Sequence, residues 1–215
     1  MSAVARIRRA CSITRWAQSQ LGQLIAHGVC ISEEALAQLF VHLCAQVPGT
    51  GPEAFPAIVA AGENAVTLHH TPTSRLLQPG ELVVVDVGTT YQGYCADITR
   101  TFRVGGGHDL REVAVRQALQ RLMSYVRPGH TWAQLQAYAK DVCMPPALAA
   151  CGLPPDTRLP HRCGHYIGRV VHDSGPEHLP AGWPVALELG IYVPGQWGVR
   201  VEEVVEVTWC GGIPV

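Results

Sequence analysis

The segment LVVVDVG sets an aspartate, Asp86, inside an otherwise apolar run. A strand of that composition is buried, and an unpaired carboxylate there loses hydration worth on the order of several kcal/mol. Any fold open to this chain must therefore bring a compensating group to Asp86. A second acid, Asp97 in GYCADITRTF, follows across a tight hairpin. A register centred on Tyr91-Gln92, just before Gly93, sets Asp86 and Asp97 side by side on one face. The later part of the chain repeats the device: Glu188 in VALELGIYV opposes Glu202 in VRVEEVVEV across a turn centred on Gly195, with Pro194-Gly195 as the turn signal. Like charges so placed repel, which calls for a shared proton or a cation, and among valines the cation is the expected solution. A single acid could be a solvated edge-strand charge. Two hairpins that each present an acidic pair are hard to read that way.

The elements around these hairpins recur in order. Residues 4–26 read as a helix stopped at His27-Gly28, and Ser32 caps a second helix with Glu33 and Glu34 at its positive end. Strands are expected near 57–60 and 65–69, then in ELVVVDVG and GYCADITRTFRV, closing at Gly105, Gly106 and Gly107. These glycines lack the spacing of a nucleotide-binding loop and read as a flexible turn. Asp109 with Glu112, and Thr131 with Gln134, look like capping boxes for two further helices, the second kinked or ended by Pro145-Pro146. Strands and turns return from His161. Helix, helix, strands, twice over, is an architectural duplication without obvious sequence identity, and the class is α+β.

Composition narrows the function. Hydrophobic residues make up 47% of the 215 and charged residues 15%, so the chain is globular and can fill a substantial core as one domain spanning 1–215. Lys+Arg (16) nearly balances Asp+Glu (17), which leaves no field to hold nucleic acid or an anionic membrane. No stretch has the ~18 apolar residues of a membrane span, and the early arginines are followed by no apolar signal segment, so a cytoplasmic location is expected. The eight cysteines contain no C-x-x-C pair and read as free thiols rather than a zinc site.

Histidine supplies a further ligand candidate in HRCGHYIGRVVHD, where His161, His165 and His172 stand four and seven residues apart. A lone histidine is usually structural; three beside four buried acids favour a site. Carboxylates with one imidazole suit Mn²⁺, Co²⁺, Fe²⁺ or Zn²⁺. With these residues in view, the chain resembles the pita-bread metallopeptidases, a family that includes aminopeptidase P, prolidase and methionine aminopeptidase. The resemblance runs from about Arg9 to Gly212 and rests on FPAIVAAGENAVTLHH, GELVVVDVGTTYQGYCADITRTF, HRCGHYIGRVVHD, VALELGIY and GVRVEEVVEVT, in that order.

The resemblance implies a pita-bread fold and two divalent ions, Mn²⁺ first and Co²⁺, Zn²⁺ or Fe²⁺ as alternatives. It makes Asp86 a ligand of one ion, Asp97 and Glu202 the bridging carboxylates, and His165 and Glu188 the holders of the second. By the same resemblance His69 and His172 contact substrate and assist proton transfer, His161 lines the pocket, and Arg200 orients the carboxylates; Glu188, a ligand beside the metal-bound water, is the candidate proton acceptor. Arg162, His70, Leu189 and Glu203 depart from the family pattern, which bears on the pocket rather than on the ligands. The activity implied is hydrolysis of the N-terminal Xaa-Pro bond of peptides, with prolidase and methionine aminopeptidase as alternatives. The rival class is a metal-free pita-bread module that only binds peptides, against which five retained ligands weigh. With no N-terminal domain to cover it, the unit is expected to bury apolar surface in a homodimer.

Overall fold

The computed structural model describes residues 1–157 and 159–215. Two helices open the chain, α1 (Ala3–Ala26) and α2 (Glu33–Ala45), followed by β1 (Thr50–Glu53), β2 (Ile58–Ala61), a 3-10 turn over Gly62–Val66, β3 (Leu82–Val87), β4 (Thr89–Tyr91), β5 (Tyr94–Cys95) and β6 (Ile98–Arg103). The second set is α3 (Leu110–Tyr125), α4 (Trp132–Tyr138), a π-helical turn over Ala139–Cys143, α5 (Met144–Ala150), then β7 (Gly164–Tyr166), β8 (Pro184–Val193), β9 (Trp197–Thr208) and β10 (Gly211–Pro214). The helix, helix, strand order thus recurs as read from the sequence, with antiparallel sheets of order β1-β4-β5, β2-β3-β6 and β10-β9-β8-β7.

Local chemistry accounts for most boundaries. The Ser32 hydroxyl accepts from Ala35 N at 3.2 Å, and the Thr131–Gln134 capping box closes reciprocally. The Asp109–Glu112 box does not form: Asp109 is taken up by the backbone N and guanidinium of Arg111, and Glu112 pairs with Arg116 one turn on. Pro145 and Pro146 do not end their helix either. The helix runs on through them but irregularly: a π-helical turn, in which Met144 N donates to Ala139 O, precedes the two prolines, which fall at the start of α5 and have no N–H to place. Residues 65–69 are not a strand but the end of the 3-10 turn and the bend after it.

The expected register of the first hairpin is off by two. Asp86 opposes Thr99, because the turn closes on Gln92 (φ 47) and Gly93 (φ 77) between paired Tyr91 and Tyr94. Positive φ at both central residues gives the tight hairpin turn that matches strand twist. An even offset keeps Asp97 on the face of Asp86, since side chains alternate with period two. The ladder breaks between β5 and β6, where a Cβ on Gly88 would stand 2.0 Å from Ala96 O. Helix α1 makes good the lost pairing: Gln18 Nε2 donates to Val85 O and Ile98 O, both at 2.9 Å, and Thr14 Oγ1 accepts from Thr89 N at 3.1 Å. In the second hairpin Glu188 opposes Glu202, as the sequence predicts.

Each set of helices covers its own sheet. One core gathers Ile13, Leu21, Phe40, Val83 and Val85; another gathers Val115, Leu122, Leu135, Leu187, Leu189 and Val201. On β8 and β9 the odd-numbered Leu187, Leu189 and Val201 face α3–α5, so Glu188, Arg200 and Glu202 point the other way, toward the first half. Strands β6 and β9 meet at the seam, where Thr101 Oγ1 donates to Arg200 O at 2.8 Å and accepts from Arg200 N at 3.1 Å. The acids of both hairpins are thereby directed into one space.

Candidate functional site

Asp97, His165 and Glu202 each offer a ligand atom, and these atoms lie within 4.8 Å of one another. His165 Nε2 stands 3.4 Å from Asp97 Oδ2 and 3.5 Å from Glu202 Oε1. Its Nδ1 is 3.0 Å from Tyr166 O. A carbonyl only accepts, so Nδ1 carries the hydrogen and Nε2 is turned to the carboxylates. Glu202 Oε2 receives Thr99 Oγ1 at 3.0 Å. Asp86 lies to one side, bound by Arg200 Nη2 at 2.8 Å, and the same nitrogen donates to Leu68 O at 3.2 Å. Glu188 lies to the other side, 3.3 Å from His161 Nδ1. Asp86 and Glu188 stand outside the 4.8 Å group but flank it.

The histidines close the cleft. His161 Nδ1 donates to Arg162 O at 2.8 Å, and its Nε2 is 3.1 Å from the Tyr192 hydroxyl, which in turn accepts from Arg200 Nη1 at 3.1 Å. The rings of His165 and His172 stand edge to face at 4.4 Å. His69 is exposed and lies near His161 and His172. Eight of the nine residues singled out from the sequence are thus in or beside this cluster through direct contacts, and His69 lies near them.

Electrostatics there are unfavourable without a further positive charge. Burial and then Glu202 push the Asp97 carboxyl well above its ordinary value, and the same two causes push Glu188 up to about 8. Burial alone would lower His165, but Asp97 and Glu202 outweigh it and push it up to about 11. Burial lowers His161 and His172. Among the described residues, Asp86 Oδ1, Asp97 Oδ1 and Glu202 Oε1 are buried and accept no hydrogen bond. Such oxygens, crowded together with one imidazole, are donor atoms for a divalent cation of the Mn²⁺, Co²⁺, Fe²⁺ or Zn²⁺ kind. The residues present fit a metal centre.

Two departures that put the pocket in question act elsewhere. Leu189 is fully buried in the helix-facing core opposite Val201, away from the cleft, and His70 turns from the cleft to Glu33 Oε2 at 2.9 Å. Glu203 pairs with Arg15 and Arg100. Tyr192 was not singled out from the sequence, although it lies on β8 at even spacing from Glu188, which is the signal that would have found it.

Paired helix-and-sheet halves closing on such a cluster define the pita-bread fold. The chain belongs to Metallopeptidase family M24, whose profile matches residues 5–209. It is 38% identical over 168 residues to the "Probable dipeptidase PepE" of Mycobacterium bovis, covering 74% of this chain and 43% of that one. It is 36% identical over 172 residues to the Xaa-Pro dipeptidase of Lactobacillus helveticus, covering 76% and 45%. The crystal structure of an X-Pro aminopeptidase from Thermotoga maritima superposes with a TM-score of 0.84 at 28% identity, over 99% of this chain and 60% of that chain. The chain thus spans less than half the length of these curated relatives.

Proposed function

We propose that the chain is a dinuclear-metal aminopeptidase that hydrolyses the N-terminal Xaa-Pro bond of peptides, with residues 1–215 as its catalytic unit. The observation that carries this reading is the Asp97–His165–Glu202 cluster with its unsatisfied carboxylate oxygens. Asp97, His165 and Glu202, with Asp86 and Glu188 beside them, would hold two divalent ions, Mn²⁺ for preference. Such ions would supply a water acidic enough to attack at neutral pH and would polarise the scissile carbonyl. Glu188 accepts the proton of the attacking water and passes it to the proline nitrogen, a secondary amine on leaving that carried no N–H in the substrate. His69 and His172 donate to the tetrahedral oxyanion, and His161, steadied by Tyr192, lines the proline pocket. Arg200 Nη2, at 2.8 Å, orients Asp86.

Free thiols, most of them buried, fit a reducing compartment, and we place the enzyme in the cytoplasm. Exposed apolar side chains such as Leu110, Val170 and Trp209 favour a homodimer that covers part of them. The dipeptidase names of the two curated relatives favour a second reading, Xaa-Pro dipeptidase. Proline fixes φ near −65° and removes the amide hydrogen, so a proline-specific pocket discriminates on shape. A tripeptide with proline second is expected to be cut after its first residue, and its alanine counterpart at least ~10-fold more slowly, which needs ~1.4 kcal/mol of differential transition-state binding. Peptide digestion followed by mass spectrometry decides the matter. Cleavage confined to Xaa-Pro dipeptides would move the enzyme to the dipeptidase reading, and a strict need for N-terminal methionine would place it with methionine aminopeptidases.

A further inference from the structure

Glu33 begins α2 with a side chain that is 0% exposed. A carboxylate so buried is tolerated only when hydrogen bonds replace its hydration. It accepts five. Oε1 takes Ala61 N at 2.8 Å and Asn64 Nδ2 at 2.9 Å; Oε2 takes His70 Nε2 at 2.9 Å, Thr73 N at 3.1 Å and Thr73 Oγ1 at 2.8 Å. Every donor comes from residues 61–73, so one carboxylate is the point about which that segment is folded.

The same segment is tied to the candidate metal centre and to the strand that carries Glu202. His69, next to the pinned His70, stands at the cleft. Leu68 O receives Arg200 Nη2, the nitrogen that also binds Asp86. Ala65 lies against β9 so closely that a Cβ on Gly198 would stand 2.1 Å from Ala65 O. In this short bend, drawing His70 inward onto Glu33 leaves His69 outward. We propose that Glu33 and His70 are positioning residues of the reaction, a buried pair that fixes the 61–73 segment and with it the place of His69 against the substrate. The proposal rests on the reading above, in which His69 meets the tetrahedral oxyanion. It makes His70 a part of the scaffold rather than a part of the pocket.

The test compares His70→Leu, His70→Gln and Glu33→Gln with the wild type, each loaded with Mn²⁺. Hydrogen exchange followed by mass spectrometry reads the segment, and steady-state kinetics on a tripeptide with proline second reads the site. In His70→Leu and Glu33→Gln the amides of 61–73 are expected to exchange at least ~10-fold faster than in the wild type while α3–α5 keep their protection. In His70→Leu kcat should fall at least ~10-fold with KM changed less than ~3-fold and Mn²⁺ content unchanged, because a displaced His69 affects the transition state more than ground-state binding. His70→Gln, which keeps a donor for Glu33, should recover most of both losses. Unchanged exchange at 61–73, exchange that rises equally throughout the chain, or wild-type kcat in His70→Leu would each overturn the proposal. Should the wild type cleave no peptide, the proposed activity falls while the exchange arm still decides whether the pair holds the segment.

Discussion

Three carboxylates share a space with few positive charges, and each is held by something different. Asp86 has Arg200, Glu202 has Thr99 on one oxygen, and Asp97 has, among the described residues, only His165 at 3.4 Å. Removing Asp97 should therefore act in opposite directions on stability and on turnover. In protein stripped with a chelator, Asp97→Asn is expected to raise stability by about 1 kcal/mol, or ~2–4 °C in Tm, because it deletes one member of a repelling set. In Mn²⁺-loaded protein the same change, like Glu202→Ala, should reduce peptide hydrolysis to background. Calorimetry of the stripped forms beside a peptide assay of the loaded ones checks both, and a Tm that falls would contradict the account. At this scale much was legible: an acid amid valines has few explanations, and the histidine spacing narrowed them. What could not be read was partnership across the fold. His70 looked like a pocket residue because its neighbour is one, and Glu33 looked like an ordinary helix-terminal charge, since nothing local marks the residue 37 positions away that it binds.

The elements show the same division between local and distant causes. The caps at Ser32 and Thr131 were predictable because a hydroxyl and an amide a few residues away are enough to build them. The first hairpin was misplaced by two residues because its turn closes on Gln92 and Gly93, with Gln92 in a positive-φ conformation that its own residue type does not announce. The face survived the error, and the acidic pair with it. Helix α2 is tied to the cleft through Glu33, and this gives a pH-dependent prediction. Burial pushes the Glu33 carboxyl up, but bonds from Asn64, His70, Ala61 and Thr73 outweigh it and hold the value below the ordinary one. A depressed folded value means stability that is fully present above the unfolded pKa, near 4.5, and is lost as pH falls through the folded value. Glu33→Gln should accordingly cost about 2 kcal/mol at pH 7, or ~4–8 °C in Tm. The gap to wild type should narrow below pH ~4. Melting curves of both proteins at pH 7 and pH 3.5 measure it, and an equal gap at the two values would refute the assignment.

As a whole, the molecule is two helix-covered halves built on three sheets, and the acids lie on the strand faces turned away from the helices, so the candidate metal centre sits between the two apolar cores. The repeat of helix, helix, strands conveyed this arrangement without any sequence identity between the halves, since periodicity and turn residues alone specify it. Assembly is less legible, because exposed side chains such as Leu110 (77%) and Trp209 (74%) are scattered along the chain rather than patterned. A homodimer should give a light-scattering mass near twice 23.2 kDa at micromolar concentration, and a mass near 23.2 kDa would count against it. The account depends most on the metal centre, and the direct measurement is the Mn²⁺ bound per chain after chelation, reloading and removal of free ion, read by elemental analysis beside the Asp97→Ala variant. Two ions per chain in the wild type, with loss of at least one in the variant, are predicted. No bound metal, with peptide hydrolysis surviving chelation, would contradict it.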